Sequence, residues 1–352
     1  MPLSHRRSIG AVVAIASALL AACGGGTDES DTAAVAPAEP ARPLVVYSSR
    51  AEQLIKPLFE RYTAQTGVPV VYQTDSEQPL IQRLKAEGAA TEADVLLTVD
   101  AGNLWYAAKE GVLQALDSPL LEASIPGYLR DDQGRWYGLS VRARTIVYDP
   151  TRVEAAELDD YAGLADERWR GRLCLRTSKK VYNQSLVAML IARHGEERAE
   201  EIVRGWVANL ATDVFSNDTR LMEAIVDGQC EVGVVNSYYY GRLQRDREQT
   251  LSLRLYFPPP DLGGVHVNVS GAGVVTHSDD AARAQALIEW LASPAAQGLF
   301  AGLNLEYPAN PAVAPDPQVA AWGDIAPSEA NLVDAGRLQA AAVRLMDRAG
   351  YR

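Results

Sequence analysis

RWYGLSVRARTIVYDP, residues 135–150, is the stretch on which the fold turns. It is rich in β-branched and aromatic residues, the composition of a strand. It is also long, and a strand that changes partners halfway accounts for the length. Upstream, short β-branched runs alternate with amphipathic helices: LVVYS (44–48), a helix from Ala51 to Thr66, VPVVYQT (68–74), a helix from Gln78 to Glu87, DVLLTV (94–99), and a helix from Gly102 to Lys109. Strands alternating with helices predict βαβ units and a parallel sheet covered on both faces.

Downstream the alternation resumes with RLCLRTS (172–178), helices from about Asn183, from Glu196 and from Thr219 to Asp227, and CEVGVV (230–235). A second long β stretch, VHVNVSGAGVVT (265–276), follows LRLYFPPP, and the rest is largely helical. Two long β stretches between α/β series predict two domains joined by two extended crossings, with a hinged cleft between them. The predicted first lobe is 43–142 plus about 268–312, and the second is 143–267 plus about 313–352.

The N-terminus carries Arg6 and Arg7, then an apolar run from Ile9 to Ala22 ending in small residues before Cys23. That is the layout of a secretory signal peptide over 1–22, too short for a membrane span. Leu20-Ala21-Ala22-Cys23 resembles the lipobox of bacterial lipoproteins, which makes Cys23 the lipidation site; the competing reading is a soluble exported protein. The arginine pair also admits twin-arginine export. Residues 23–42 are Gly, Pro, Ala, Ser and acids with almost no large apolar side chain, a composition that cannot fold and serves as a tether.

The formal charge is −12; losing Arg6 and Arg7 with residues 1–22, which hold no acid, makes it −14. So acidic a chain is unsuited to nucleic acid or anionic lipid by bulk charge. Cys174 and Cys230 each lie in or beside a strand-like run and, after export, in an oxidising compartment. A disulfide between adjacent strands competes there with two buried free thiols.

No G-x-S-x-G elbow, phosphate loop, H-E-x-x-H or dinucleotide fingerprint occurs, and the GAG run at 271–273 matches none of them. The chain reads as a non-enzyme. Its unusual resource is tyrosine: NSYYYGRL (236–243) places three phenols where a strand gives way to a helix, and Tyr182 lies in KKVYNQSL. Neighbouring side chains point in different directions, so the three cannot all face the core. Phenolate is a hard anionic donor that a free phenol becomes only near pH ~10. Several phenolates converging on one point suit Fe(III) better than Zn(II), Ca(II) or Cu(I).

NSYYYGRL, together with YSSR (47–50), ADVLLTVDAG (93–102), VRARTIVYDP (141–150), RTSKKVYNQSL (176–186), VNVSGAGVV (267–275) and EYPANP (306–311), resembles the ferric-iron-binding proteins that serve ABC-type importers. The similarity runs from about residue 43 to 350. It implies a two-domain periplasmic-binding-protein fold, α/β in class, in a carrier that hands Fe(III) to an inner-membrane permease. The family's adjacent tyrosine ligands fall on Tyr238 and Tyr239, and its third phenolate on Tyr182; Tyr240 is left to packing. Where relatives place His or His-Tyr after YSSR, this chain has Ala51-Glu52, so Glu52, water or an anion such as carbonate fills that position. The resemblance also directs Arg50 and at least one of Arg142 and Arg144 to the cleft, to hold an anion or lower the phenol pKa values; as alternate residues on one strand, Arg142 and Arg144 have the competing reading of a shared solvated face. The alternative is the same fold holding a small anion or organic solute through these arginines.

The carrier so implied is a monomer in the periplasm, anchored to a membrane through the lipid on Cys23, and its partner is the permease of an ABC importer.

Overall fold

Twelve consecutive buried residues, Tyr137–Tyr148, form β4, the strand that organises the sheet. The computed structural model describes residues 42–247, 251–328 and 332–352; the expected signal peptide, Cys23 and nearly all of the expected tether lie outside them. β4 changes partners at Arg144. Tyr137–Arg144 pairs antiparallel with β8 (His266–Val274), and Arg144–Tyr148 pairs antiparallel with β6 (Val232–Asn236). Short strands β7 (Arg254–Tyr256) and β9 (Tyr307–Pro308) pair with its two halves. Burial on both faces means that even its alternating polar residues, Ser140, Arg142 and Arg144, lie inside the protein.

The first βα series is β1 (Leu44–Ser48), α1 (Glu52–Thr66), β2 (Val70–Thr74), α2 (Glu77–Glu87), β3 (Val95–Val99) and α3 (Ala101–Lys109). β1 pairs parallel with β2 and β3, and β3 pairs antiparallel with β8. The sheet order is β2-β1-β3-β8-β4-β6-β5, where β5 is Leu173–Cys174. The expected parallel sheet is therefore mixed, because the long crossings run against their neighbours. The GAG run has its explanation here. A Cβ at Gly271 or Gly273 would collide with the carbonyl oxygens of Tyr137 and Arg135, so β8 can lie against β4 only without side chains at those positions.

Helix α4 (Pro119–Ser124) precedes β4, and α5 (Val181–His194), α6 (Glu196–Ala208), α7 (Asp218–Val226) and α8 (Ser237–Asp246) belong to the series after it. Helices α9 (Ala281–Ala292), α10 (Pro294–Gly302), α11 (Pro317–Ala320) and α12 (Val333–Arg348) follow β8. The apolar core divides along β4. One cluster gathers Ile55, Leu58, Phe59, Leu96, Leu139 and Phe300 around β1–β3; another gathers Ile146, Trp169, Leu190, Trp206, Val234 and Leu345 around β5 and β6. Among the described residues no helix is long and apolar enough to cross a membrane. Cys174 and Cys230 are joined by a disulfide, Cα to Cα 6.0 Å, tying the start of β6 to β5.

Candidate metal centre

Strand β6 runs into α8 without a loop: Asn236 ends the strand and Ser237 begins the helix. The three tyrosines then occupy the first helical turn, about 100° apart around the axis, and diverge. Tyr240 turns into the protein, edge-on to Trp322 at 5.8 Å, with its hydroxyl donating to the Leu253 carbonyl at 2.9 Å. Tyr238 and Tyr239 stay together, ring centroids 4.4 Å apart. Tyr182 comes from the first turn of α5, which begins at Val181, two residues before the start expected at about Asn183, and accepts a hydrogen bond from the Tyr238 hydroxyl at 3.3 Å. Three phenols thus meet at the N-termini of two helices, where the backbone dipoles favour negative charge.

Guanidinium groups surround them. Arg142 lies over the Tyr182 ring at 5.8 Å, Arg176 over Tyr182 at 5.3 Å and Tyr239 at 5.7 Å, and Arg242 over Tyr238 at 5.1 Å and Tyr239 at 5.8 Å. Burial pushes the Tyr238 phenol well above its ordinary value and the neighbouring tyrosines add to this, while Arg142 opposes. Burial also raises Tyr182, again against Arg142. The protons therefore stay on until a strong Lewis acid displaces them. No group of three His, Cys, Asp or Glu side chains able to hold a metal occurs among the described residues.

The arginines expected to face an anion are differently employed. Arg50 is buried, donating to Ser270 Oγ at 2.6 Å, Glu306 Oε2 at 3.0 Å and the Phe300 carbonyl at 3.3 Å. Arg144 donates to Asn183, Asp218, Asn236 and the Val234 carbonyl. Arg142 reaches Ser270 Oγ and the Val269 carbonyl, and its Nε has no protein partner. Arg142 is the one of the three whose charge lies over a phenol ring. Glu52 is exposed at the start of α1 and accepts from the Tyr72 hydroxyl at 3.0 Å; the structure does not bring it to the phenols. Asp100 caps α3 by accepting from Gly102 N, and burial pushes its carboxyl up to about 6.

Two neighbours of the phenols were not evident from the sequence. Arg242 stands four residues after Tyr238 and three after Tyr239, the spacing that puts side chains on one helix face, so its signal was present. Arg176 is brought in by tertiary contacts: the Tyr351 hydroxyl donates to its carbonyl at 2.6 Å, and Ser178 N donates to the Arg352 carbonyl at 3.0 Å.

Residues 57–327 match the family model described as bacterial extracellular solute-binding protein. The chain is 37% identical over 347 residues to iron uptake protein A1 of Synechocystis, covering 97% of this chain and 95% of that one. It is 40% identical over 318 residues to iron uptake protein A2 of the same organism, covering 88% and 90%. A solved structure of the Trichodesmium protein IdiA (FutA) in complex with iron and citrate superposes with a TM-score of 0.85 at 38% identity, covering 88% of this chain and all of that one. By the family model and by these relatives alike, the chain belongs to the bacterial extracellular solute-binding protein family.

Proposed function

We propose that this protein captures Fe(III) as its cargo through the phenolates of Tyr182, Tyr238 and Tyr239 and delivers it to the permease of an ABC importer. The observation that carries the reading is the convergence of three phenols, with Tyr182 and Tyr238 in hydrogen-bond contact at 3.3 Å, on two helix N-termini ringed by guanidinium groups. Three phenolates cancel the charge of a ferric ion, and hard oxygen donors suit it. The iron-uptake names of the relatives and the iron-and-citrate complex of the Trichodesmium protein agree with this chemistry.

In this reading the lobes are 43–142 plus about 268–312, and 143–267 plus about 313–352, and they close over the ion by a hinge motion. Water or an anion such as carbonate or citrate completes the coordination, with Arg142 behind it, and Glu52 is a candidate donor only in a closed state. The protein works as a monomer outside the cytoplasm, tethered by lipid on Cys23. The reading in which arginines bind an organic anion is weaker, because both terminal nitrogens of Arg50 and all three guanidinium nitrogens of Arg144 are already engaged with protein partners.

The test is a visible absorption titration with ferric citrate. A charge-transfer band that saturates near one equivalent, weakens in Tyr238→Phe and persists in Tyr240→Phe supports the assignment. A folded protein with no band refutes it.

A further inference from the structure

Behind the tyrosines sits a carboxylate that touches none of them. Asp218, the first residue of α7, is fully buried. Its Oδ2 accepts from the backbone N–H of Asn236 at 2.9 Å and from Arg144 Nη1 at 3.2 Å, and its Oδ1 accepts from Arg176 Nη1 at 3.4 Å. Arg144 in turn holds Asn183 Oδ1 through Nε at 2.9 Å and Nη2 at 2.6 Å, and Asn236 Oδ1 through Nη1 at 3.0 Å. Asn183 spends its amide nitrogen on the carbonyls of Arg176 at 2.8 Å and Thr177 at 3.0 Å.

Asn183 is the residue after Tyr182, and Asn236 stands two before Tyr238. One carboxylate therefore fixes, through Arg144, the starts of both helices that carry the phenols. Through Arg176 it also sets the guanidinium that lies over Tyr182 and Tyr239. We propose that Asp218 is a positioning residue for the metal site, holding the starts of α5 and α8 at the separation that lets Tyr182 and Tyr238 share one ion. The inference rests on the ferric reading above.

Two roles for Asp218 predict different outcomes. If it only neutralises buried arginines, removing its charge leaves the phenols where they are, and because the ion replaces about three protons of equal total charge, ferric affinity and the band stay close to wild type. If it positions, the same change loosens both tethers and weakens binding.

The experiment compares wild type, Tyr238→Phe, Asp218→Asn and Asn236→Ala by ferric affinity in citrate competition, by the charge-transfer band at saturating iron, and by thermal unfolding. Asn236→Ala keeps Asp218 paired with both arginines and with the Asn236 backbone N–H, and removes only the link from Arg144 to the start of α8. The expected result is at least a tenfold loss of affinity with a displaced band in Asp218→Asn, and a smaller change of the same sign in Asn236→Ala. Unchanged or tighter binding with an unmoved band in folded Asp218→Asn overturns the proposal. If Asp218→Asn does not fold, wild-type affinity and band in Asn236→Ala overturn it instead. A wild-type protein without the band removes the ferric reading itself, which is a separate result from a wild-type band that Tyr238→Phe weakens and Asp218→Asn leaves alone.

Discussion

Replacing Glu306 with Gln tests the buried ion pair that it makes with Arg50 beside the core around β1–β3. Glu306 is fully buried: its Oε2 accepts from Arg50 Nη1 at 3.0 Å and from Ser140 Oγ, and its Oε1 accepts from Asn304 Nδ2. Asn304 also accepts from Arg242, which stacks on the tyrosine rings. Gln keeps the volume but places an NH2 against a donor in either orientation, and it leaves Arg50 without a counter-charge. Removing one partner of a buried pair costs about 3–5 kcal/mol. At the ~2 °C per kcal/mol expected of a large domain, Tm falls by about 6–10 °C.

The pH dependence supplies a second reading of the same pair. Burial pushes the Glu306 carboxyl up, but Arg50, Arg142 and the hydrogen bonds from Ser140 and Asn304 outweigh it and hold the carboxyl below its ordinary value of 4.5. A depressed folded value means that the stabilisation is present above 4.5 and is lost as pH falls through the folded value. Calorimetry from pH 7 down to acid should show the gap between wild type and Glu306→Gln narrowing. A loss below about 1 kcal/mol at pH 7, the range of an exposed ion pair, or a gap independent of pH, refutes the reasoning.

Ferric binding should release about three protons, one per phenol that becomes a ligand. Measured in weak buffer and corrected for the chelator, the count falls by one in Tyr182→Phe; an unchanged count removes Tyr182 from the ligand set. Reducing the Cys174–Cys230 disulfide, which closes a separation of 56 residues, should cost about 4 kcal/mol on the chain-entropy model while leaving the ferric band in place. Scanning calorimetry with and without reductant measures the first, and absorbance of the reduced protein the second.

The parts of this molecule written in local pattern were legible. β4 announced itself by length and composition, and the adjacency of Tyr238, Tyr239 and Tyr240 announced divergence, because helical geometry separates neighbours whatever surrounds them. The start of α5 was less legible: the helix was expected from about Asn183, and it begins at Val181, which takes Tyr182 into its first turn. The partners of the arginines were not legible at all. Arg50 finds Glu306 across 256 positions and Arg144 finds Asp218 across 74, and no local pattern encodes which cation meets which acid. Arg142 and Arg144 looked equivalent as alternate residues on one strand, yet one lies over a phenol and the other is tied to two asparagines and a carboxylate.

The place of β8 between β3 and β4 has a consequence for how the chain is made. β1, β2 and β3 can pair as soon as they are synthesised, but the other edge of β3 is covered only by residues 266–274. Until those residues emerge, the growing chain carries an apolar strand with an open row of backbone donors and acceptors, the kind of edge that pairs with other chains. The nascent protein is most prone to aggregate after β1–β3 have formed and before β8 emerges, and a factor that shields β3 during that interval would raise the yield of folded protein without touching the finished molecule.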